Sequence, residues 1–483
     1  MIKKNEQIYI VSFCEGAAVM ATELCGTKLI APYYGSSLYV WASVIAITLG
    51  SLAAGYFFGG KLSLKENKKS ILTSILVLAS LYMGCMPLVS GLFRFFAFGM
   101  PLIPAVVVSS GILLFFPMFL MGATSPLIIS LQTQSVENSG RVSGLVYSIS
   151  TVGGIISTFL SGFYLIPAFG LQTTLIIFAV LLLASLLLMI DNSIKIMGVF
   201  GILIFLGFKQ APLAKNCIYE KEGLLGKLDV LDDSLEIIGE GYGGKRRLLV
   251  NHVVQSEMDL RSLKSVSDYV GILDVNIEKG SGQALVLGLG GGLTANLLLD
   301  KGYKVRGVEL DQRIIDVAKK YFYLNSDVEA VCDDARHYLN ISNTKLDVLL
   351  IDIFKAEEQP SHVITVESLQ KIKNLLNPGA KLIINWHGYS TGKRGLGTAI
   401  LLNTLKNAGF QYRIAASSDN EDYRNLVIFS SLSEPKLQQF EVSIKPEATS
   451  QLNSDGQPVL EKANALANQS WRKNYILYYY SGN

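Results

Sequence analysis

The sequence predicts a two-part protein: an α-helical transmembrane bundle followed by an α/β domain with a Rossmann-like fold. Three observations lead to this prediction. Only 17% of the 483 residues are charged, whereas soluble proteins carry roughly 25%. The long apolar runs lie almost entirely within residues 1–210. The second half has an ordinary soluble composition and contains a glycine-rich loop directly after a short apolar run, which is typical of a strand–loop–helix unit.

The first 210 residues contain six apolar runs that meet or approach the roughly 20 residues needed to cross a bilayer. The runs are 8–30, 38–60, 71–93, 101–131, 141–166 and 171–190. A weaker run at 194–208 is short, so the sequence predicts six or seven spans. Further spans follow the first run immediately, which favours a membrane helix over a cleavable signal peptide.

Two acidic residues inside the first span, Glu15 and Glu23, leave two interpretations open. Carboxylates are costly in a bilayer and usually face the interior of a helical bundle. The functional interpretation is a polar or cationic binding site, for example for an amine, and the structural one is an interhelical hydrogen-bond anchor. Stretches rich in small residues at 50–60 and 153–162 predict close helix packing.

Beyond the bundle, residues 211–270 predict a small antiparallel β subdomain, because short β-like stretches alternate with glycine turns. Residues 271–483 change to a βαβ pattern and predict the Rossmann-like domain. The five cysteines form no CxxC pair, and no two of the four histidines share a helical metal-ligand spacing, so no metal is expected. A net charge of +3 and the absence of a basic block favour no nucleic-acid partner.

The glycine-rich loop of the second half carries a specific spacing. A buried strand at 284–287 leads into the loop, whose glycines Gly288, Gly290 and Gly292 permit a tight turn and close approach to a ligand. A helix begins after the loop and offers free N–H groups at its first turn. The next strand ends in Glu309, which is placed to accept the two ribose hydroxyls of a nucleoside.

Two further strands of this domain also end in acidic residues. Asp333 and Asp334 follow the third strand, and Asp352 follows the fourth. Because ligands of open parallel sheets bind beyond the carboxyl ends of the strands, we expect Glu309, Asp334 and Asp352 to line one cleft. Three carboxylates suit a sulfonium nucleoside better than the pyrophosphate of a dinucleotide. Asp333 is a second cofactor-binding candidate, with a solvated turn residue as the alternative interpretation.

These motifs resemble a known family, the polyamine aminopropyltransferases or spermidine synthases, and more closely their homologues fused to a membrane domain (fused MFS/spermidine synthase). The matching segments are 248–255, 286–292, 308–311, 333–336, 350–352, 360–365 and 376–379. Further matches occur in the membrane half. The resemblance implies a methyltransferase-type α/β fold and a homodimer. It also implies S-adenosylmethionine, or its decarboxylated form, as co-substrate.

The resemblance also implies roles for individual residues. Glu309 would hold the ribose, and Asp334 would hold the amino group of the adenine. Asp352 would be the catalytic carboxylate beside the reacting amine. Gln255 and Tyr269 would lie on the side of the acceptor substrate.

Two positions depart from the family pattern. Gly291 stands where spermidine synthases carry an Asp that holds the ammonium group of the decarboxylated nucleotide. Lys355 stands where a second Asp helps to bind the diamine, and it either repels a diamine or points to solvent.

Aminopropyl transfer to an amine is the leading interpretation. Methyl transfer from S-adenosylmethionine is the first alternative, and a polyamine transporter or sensor with a nucleotide-binding domain is the second.

Lysine positions predict a multi-pass protein of a bacterial-type inner membrane with its amino terminus in the cytoplasm. The lysines at the cytoplasmic ends are Lys3, Lys4, Lys61, Lys65, Lys68 and Lys69. If the run at 194–208 stays on the surface, the catalytic domain is cytoplasmic, and if the run spans, the domain lies outside. Because sulfonium nucleotides are made in the cytosol, the cytoplasmic arrangement is the one expected.

Overall fold

The computed structural model describes most of the chain, and two of the predicted features lie outside the described residues. The described residues are 7–34, 38–93, 96, 100, 102–133, 135–187, 216–223, 225–233, 236–238, 241–354, 361–444 and 449–481. The weak run at 194–208 and Lys355 both fall outside them. The seventh span and the effect of Lys355 on a diamine therefore stay predictions.

The chain divides into two compact units, of which the first is Met1–Leu213 together with Lys221–Lys227. Its helices are α1 (Gln7–Tyr34), α2 (Leu38–Leu62), α3 (Lys68–Ser90), α4 (Leu102–Ser110), α5 (Phe116–Gln132), α6 (Ser139–Leu160) and α7 (Ile166–Leu187). Single π-helical turns, Gly111–Phe115 and Ser161–Leu165, join α4 to α5 and α6 to α7.

Five continuous helices within the described residues of this unit are long and apolar enough to cross a membrane. The fifth, Val136–Leu187, has 52 residues, whereas about 20 are enough for one crossing. Gly170 interrupts it with non-helical backbone angles (φ 81°, ψ 175°). This long segment therefore contains the predicted span at 141–166 and residues 171–187 of the predicted span at 171–190, whose last three residues lie outside the described part of the chain. The predicted helical bundle is confirmed, and its described helices have the length and apolar composition of membrane-spanning helices.

Small residues allow the bundle helices to pack at short range. A Cβ atom on Gly153 would lie 2.2 Å from the carbonyl oxygen of Phe13, and one on Gly59 would lie 2.5 Å from that of Ala123. Larger side chains at these positions would push α6 from α1 and α2 from α5. The predicted close packing is confirmed here, whereas a Cβ atom on Gly50 would have no neighbour within 4 Å.

The second unit, Ala214–Glu220 with Leu228–Asn483, begins with the small β subdomain. Its strands are β1 (Cys217–Lys221), β2 (Leu228–Asp232), β3 (Glu236–Ile238), β4 (Gly241–Gly243), β5 (Lys245–Val250) and β6 (Val253–Asp259). The strands β1, β2, β5 and β6 form one sheet in that order, and β3 pairs with β4. Because β5 runs antiparallel to both β2 and β6, this sheet has the antiparallel character that the sequence predicts.

The rest of the unit is an α/β domain around a seven-stranded sheet. Its strands are β7 (Gln283–Leu287), β8 (Lys304–Glu309), β9 (Glu329–Cys332), β10 (Leu346–Ile351), β11 (Leu376–His387), β12 (Gln411–Ala416) and β13 (Asn425–Ser431). Its helices are α8 (Asp268–Asn276), α9 (Leu293–Asp300), α10 (Gln312–Tyr321), α11 (Ala335–Ile341), α12 (Val366–Leu375), α13 (Leu396–Asn407) and α14 (Leu460–Ser481).

The strand order β12-β13-β11-β10-β7-β8-β9 confirms the methyltransferase-type Rossmann-like prediction. The strands from β7 to β11 pair in parallel, and β13 runs antiparallel to both of its neighbours. From β7 the chain moves outward through β8 and β9, and then returns to the other side of β7 through β10. Ligands of such sheets bind at this reversal, beyond the carboxyl ends of β7 and β10.

Candidate active site

The glycine-rich loop after β7 turns sharply beside the end of β10. Gly288, Gly290 and Gly292 have positive φ angles of 88°, 51° and 78°, a region that glycine adopts without steric cost. A Cβ atom on Gly288 would also lie 2.2 Å from the carbonyl oxygen of Asp352. Position 288 therefore requires glycine for two reasons, its positive φ angle and the short distance to the backbone of Asp352. Both features place the loop directly against Asp352.

Glu309 ends β8 and is tied to the glycine loop by hydrogen bonds. The backbone N–H groups of Leu289 and Gly290 donate to its Oε2 atom at 3.1 and 3.4 Å. The N–H of Asp311 donates to Oε1 at 3.2 Å. Burial raises the pKa of Glu309, and these three N–H groups oppose the rise. The carboxylate is thereby fixed at the loop, where the sequence predicts the contact with a nucleoside.

Asp334 and Asp333 follow β9 and make different contacts. The Oδ1 atom of Asp334 accepts from the backbone N–H groups of Arg336 and His337 and caps α11. Its Oδ2 atom lies 3.5 Å from Nε2 of His362. Burial acts to raise the pKa of Asp334, but the His337 N–H, the His362 ring and the Arg336 N–H together lower it. Asp333 lies 2.8 Å from the ring of His337. The adenine contact expected of Asp334 and the cofactor-binding role suggested for Asp333 stay predictions.

Asp352 directly follows β10 at the reversal of strand order, and two side chains fix its carboxylate. The hydroxyl of Tyr269 donates to Oδ2 at 2.9 Å, and the amide of Asn385 donates to Oδ1 at 2.8 Å. Asn425 in turn donates to the amide oxygen of Asn385 at 2.9 Å. Burial raises the pKa of Asp352, and the bonds from Asn385 and Tyr269 partly oppose the rise. A carboxylate with a fixed orientation and a raised pKa is suited to accept a proton.

A cavity of about 160 Å³ opens beside Asp352. The described residues that line it are Val254, Gln255, Glu257, Val266, Ser267, Asp268, Tyr269, Asp352, Phe354, Asn385, Ser417, Tyr423, Asn425 and Trp471. Three of these carry carboxylates and none is basic, although Glu257 is paired with Arg247 at 2.7 Å. The cavity therefore offers negative charge and aromatic surface to a small cation.

The structure brings the three residues predicted for the acceptor side and catalysis, Gln255, Tyr269 and Asp352, to one cavity. Sequence reasoning missed Asn385 and Trp471. Asn385 had a usable signal, because it is a polar residue at the end of a buried strand. Trp471 had none, because only the placement of α14 brings it to the cavity, where it stacks on Phe354 with 6.3 Å between ring centroids.

Gly291, the first departure from the family pattern, is also constrained by its neighbours. Its N–H donates to the hydroxyl of Ser256 at 2.8 Å. A Cβ atom at this position would lie 2.9 Å from the ring of Phe322 and 3.1 Å from Cβ of Ser256. An aspartate at 291 would therefore require Phe322 to move. The space between Ser256 and Phe322 thus accommodates glycine but not a larger side chain.

Comparison with known proteins gives matches to part of the chain, although no family model matches. A probable polyamine aminopropyl transferase of Bifidobacterium longum is 32% identical over 119 residues, which are 24% of this chain and 27% of that protein. A polyamine aminopropyltransferase of Vibrio vulnificus is 32% identical over 116 residues, or 23% of this chain and 38% of that protein. Over about a quarter of its length, this chain is therefore similar in sequence to polyamine aminopropyltransferases.

A third protein that is similar to this chain has a different kind of name. An N-terminal histidine N-methyltransferase of Emericella nidulans is 29% identical over 163 residues, which are 31% of this chain and 28% of that protein. This chain thus spans between 27% and 38% of the length of the three relatives.

Two solved spermidine synthase structures resemble the chain over about half of its length. A probable spermidine synthase from Corynebacterium glutamicum covers 46% of this chain and 82% of its own, with 19% identity and a TM-score of 0.37. The spermidine synthase from Thermotoga maritima covers 53% of this chain and 87% of its own, with 14% identity and a TM-score of 0.34.

Proposed function

We propose that this protein is a membrane-bound transferase that moves the aminopropyl group of decarboxylated S-adenosylmethionine to an amine. The observation that carries the proposal is the position of Asp352, which contacts the glycine loop on one side and borders the acid-lined cavity on the other. The loop and Glu309 hold the nucleoside, and the cavity holds the acceptor amine. The names of the aminopropyltransferase relatives support this assignment.

The proposed step is a substitution at carbon. The lone pair of the amine attacks the methylene carbon next to the sulfonium, a C–N bond forms, and the C–S bond breaks with its electron pair left on sulfur. The product nitrogen then loses one proton, which Asp352 accepts and passes to solvent. The sulfonium is already a good leaving group, so alignment of the amine with the C–S bond contributes most of the rate enhancement. Tyr269 and Asn385 hold Asp352 in the orientation that this alignment requires.

Product analysis by mass spectrometry tests the proposal directly. The purified full-length protein is incubated with decarboxylated or intact S-adenosylmethionine and with a panel of mono-, di- and triamines. We expect an aminopropylated amine with the decarboxylated nucleotide only. Absence of any product, with nucleotide binding retained, would refute the enzymatic assignment.

Methyl transfer from intact S-adenosylmethionine is the second candidate, and Gly291 favours it. An aspartate at this position would attract the free ammonium of the decarboxylated nucleotide, whereas Gly291 leaves the loop neutral. The free N–H groups of the adjacent helix favour the carboxylate of the intact nucleotide. The name of the Emericella relative also fits this reaction. Calorimetry separates the two candidates, because tighter binding of intact S-adenosylmethionine together with a methylated product would replace aminopropyl transfer.

We expect the Tyr269→Phe variant to shift the acidic limb of the pH–rate profile to higher pH. The Tyr269 hydroxyl lowers the pKa of Asp352, so its removal raises that pKa further. Because the proposed base must be deprotonated, activity is lost as the pH falls through this pKa, and the loss begins at higher pH in the variant. The control is Tyr423→Phe, which alters another tyrosine of the same cavity. An acidic limb that stays in place in Tyr269→Phe would contradict this positioning role.

The proposal also includes a cellular arrangement. The protein lies in a bacterial-type inner membrane, and its catalytic domain faces the cytoplasm, where its nucleotide substrate is made. It acts as a homodimer on a small-molecule amine, without a metal or nucleic acid. Cys332 is exposed on the catalytic domain, so an impermeant thiol reagent should label it only after the cells are lysed. Labelling in intact cells that disappears in Cys332→Ser would place the domain outside.

A further inference from the structure

The helical bundle contains a cavity of its own, with a volume of about 350 Å³. Residues of α1, α2, α5 and α6 line it, and Glu15 of α1 is among them. Glu15 is only 3% exposed, and the hydroxyl of Ser150 donates to its Oε2 atom at 3.0 Å. The cavity lies within the first unit and is separate from the cavity beside Asp352.

The carboxylate in this cavity has no basic neighbour among the described lining residues, none of which is Lys, Arg or His. A hydroxyl donor such as Ser150 stabilises an anion only partly, and burial of an unpaired charge in a membrane protein is costly. A cation from outside the chain would offset that cost. Since the volume falls within the roughly 300–1,000 Å³ typical of small-molecule sites, the cation can be an organic one.

The exposed side chains at the mouth of the cavity indicate from which side this cation enters. Tyr56, Tyr147, Ile155 and Phe159 line the cavity and are 39–61% exposed. They lie on helices long and apolar enough to cross a membrane, so we expect these exposed side chains to face lipid. A ligand that enters between them must be partly apolar, and aromatic faces attract an ammonium group within about 6 Å.

We propose that this bundle cavity binds an organic ammonium ion with an apolar body, which enters from the bilayer and pairs with Glu15. The ammonium group meets the carboxylate and the Ser150 hydroxyl, and the apolar body meets Tyr56, Tyr147 and Phe159. The site is independent of the transferase function proposed for Asp352. Glu23, the second acidic residue of α1, does not line this cavity, so the structure separates two residues that the sequence treats alike.

Isothermal titration calorimetry on the full-length protein in lipid nanodiscs tests this site. The probes are 2-phenylethylammonium and its neutral analogue 2-phenylethanol. We expect the ammonium probe to bind more tightly than the alcohol, and Glu15→Gln to weaken its binding on the order of thirtyfold. Glutamine still accepts the hydrogen bond from Ser150, so α1 and α6 should stay packed, and the melting temperature checks this.

Another acidic residue of α1 supplies a matched control. Glu23→Gln removes a carboxylate from the same helix and should bind the ammonium probe like the wild type. The proposal is overturned by equal binding of the two probes, by unchanged affinity in Glu15→Gln, or by an equal loss in Glu23→Gln.

A second pair of variants tests the same site without a change of charge, and decides the question if Glu15→Gln fails to fold. Tyr56→Leu removes an aromatic face from the cavity, whereas Tyr56→Phe keeps it. Only the leucine variant is expected to weaken binding of the ammonium probe. Wild-type affinity in both variants would count against the cavity as the binding site.

Discussion

Replacement of Asp352 by asparagine should reduce turnover by about 10²- to 10⁴-fold, the usual contribution of a positioned acid–base group. The variant keeps the size and shape of the side chain. An asparagine oxygen still accepts the bond from Asn385, and Tyr269 can turn its hydroxyl to accept from the new amide. The fold and the glycine loop should therefore persist, while the group that takes the proton is lost.

Two measurements separate this chemical effect from an effect on binding. Initial rates at saturating nucleotide, followed by mass spectrometry, report turnover, and calorimetry reports nucleoside affinity, which should stay near the wild-type value. Asp268→Asn is the matched control, because Asp268 is an exposed acid that lines the same cavity. An equal loss of turnover in both variants would assign the effect to the negative charge of the cavity, and wild-type turnover in Asp352→Asn would exclude Asp352 as the proton acceptor.

The parts of the site that the sequence predicts are those held together by local chain geometry. The strand, loop and helix around Gly288 are contiguous, so their spacing alone indicates the turn. Glu309 ends β8 and Asp352 directly follows the apolar strand β10, and parallel strands bring such ends to one edge of the sheet. The same logic explains the bundle, where small residues at helical spacing indicate close contacts before any partner helix is known.

The parts that the sequence does not predict depend on contacts between distant segments. Asp352 and Asn385 are 33 positions apart, and Asn385 and Asn425 are 40 apart. Trp471 comes from the carboxyl-terminal helix, whose placement no local pattern indicates. In the bundle, Glu15 and Glu23 share a predicted helical face, but of these two residues Glu15 alone lines the described cavity between α1, α2, α5 and α6. Side-chain packing between elements decides each of these cases.

The Gly288→Ala variant should lose most of its nucleoside affinity and should melt at a lower temperature. Alanine at φ 88° carries the steric cost of left-handed backbone, about 1–2 kcal/mol. Its Cβ atom would also lie 2.2 Å from the carbonyl oxygen of Asp352, an overpacking that costs about 1–3 kcal/mol. The Cβ atom and the carbonyl oxygen are both held in place by the backbone, so no side-chain rotation relieves this contact. The loop must therefore move away from β10, and the hydrogen bonds from Leu289 and Gly290 to Glu309 are lost with it.

Gly379→Ala isolates the contribution of the backbone angle from that of the contact. Gly379 has a φ of 80°, but a Cβ atom there would meet no atom within 4 Å. This control should lower the melting temperature slightly and leave nucleoside binding unchanged, whereas Gly288→Ala should affect both. Thermal unfolding and calorimetry with the nucleotide measure the two effects. If both variants bind the nucleotide like the wild type, the loop does not form the nucleoside site. If both lose affinity equally, the contact between Gly288 and Asp352 has no special role, because general destabilisation then explains the loss.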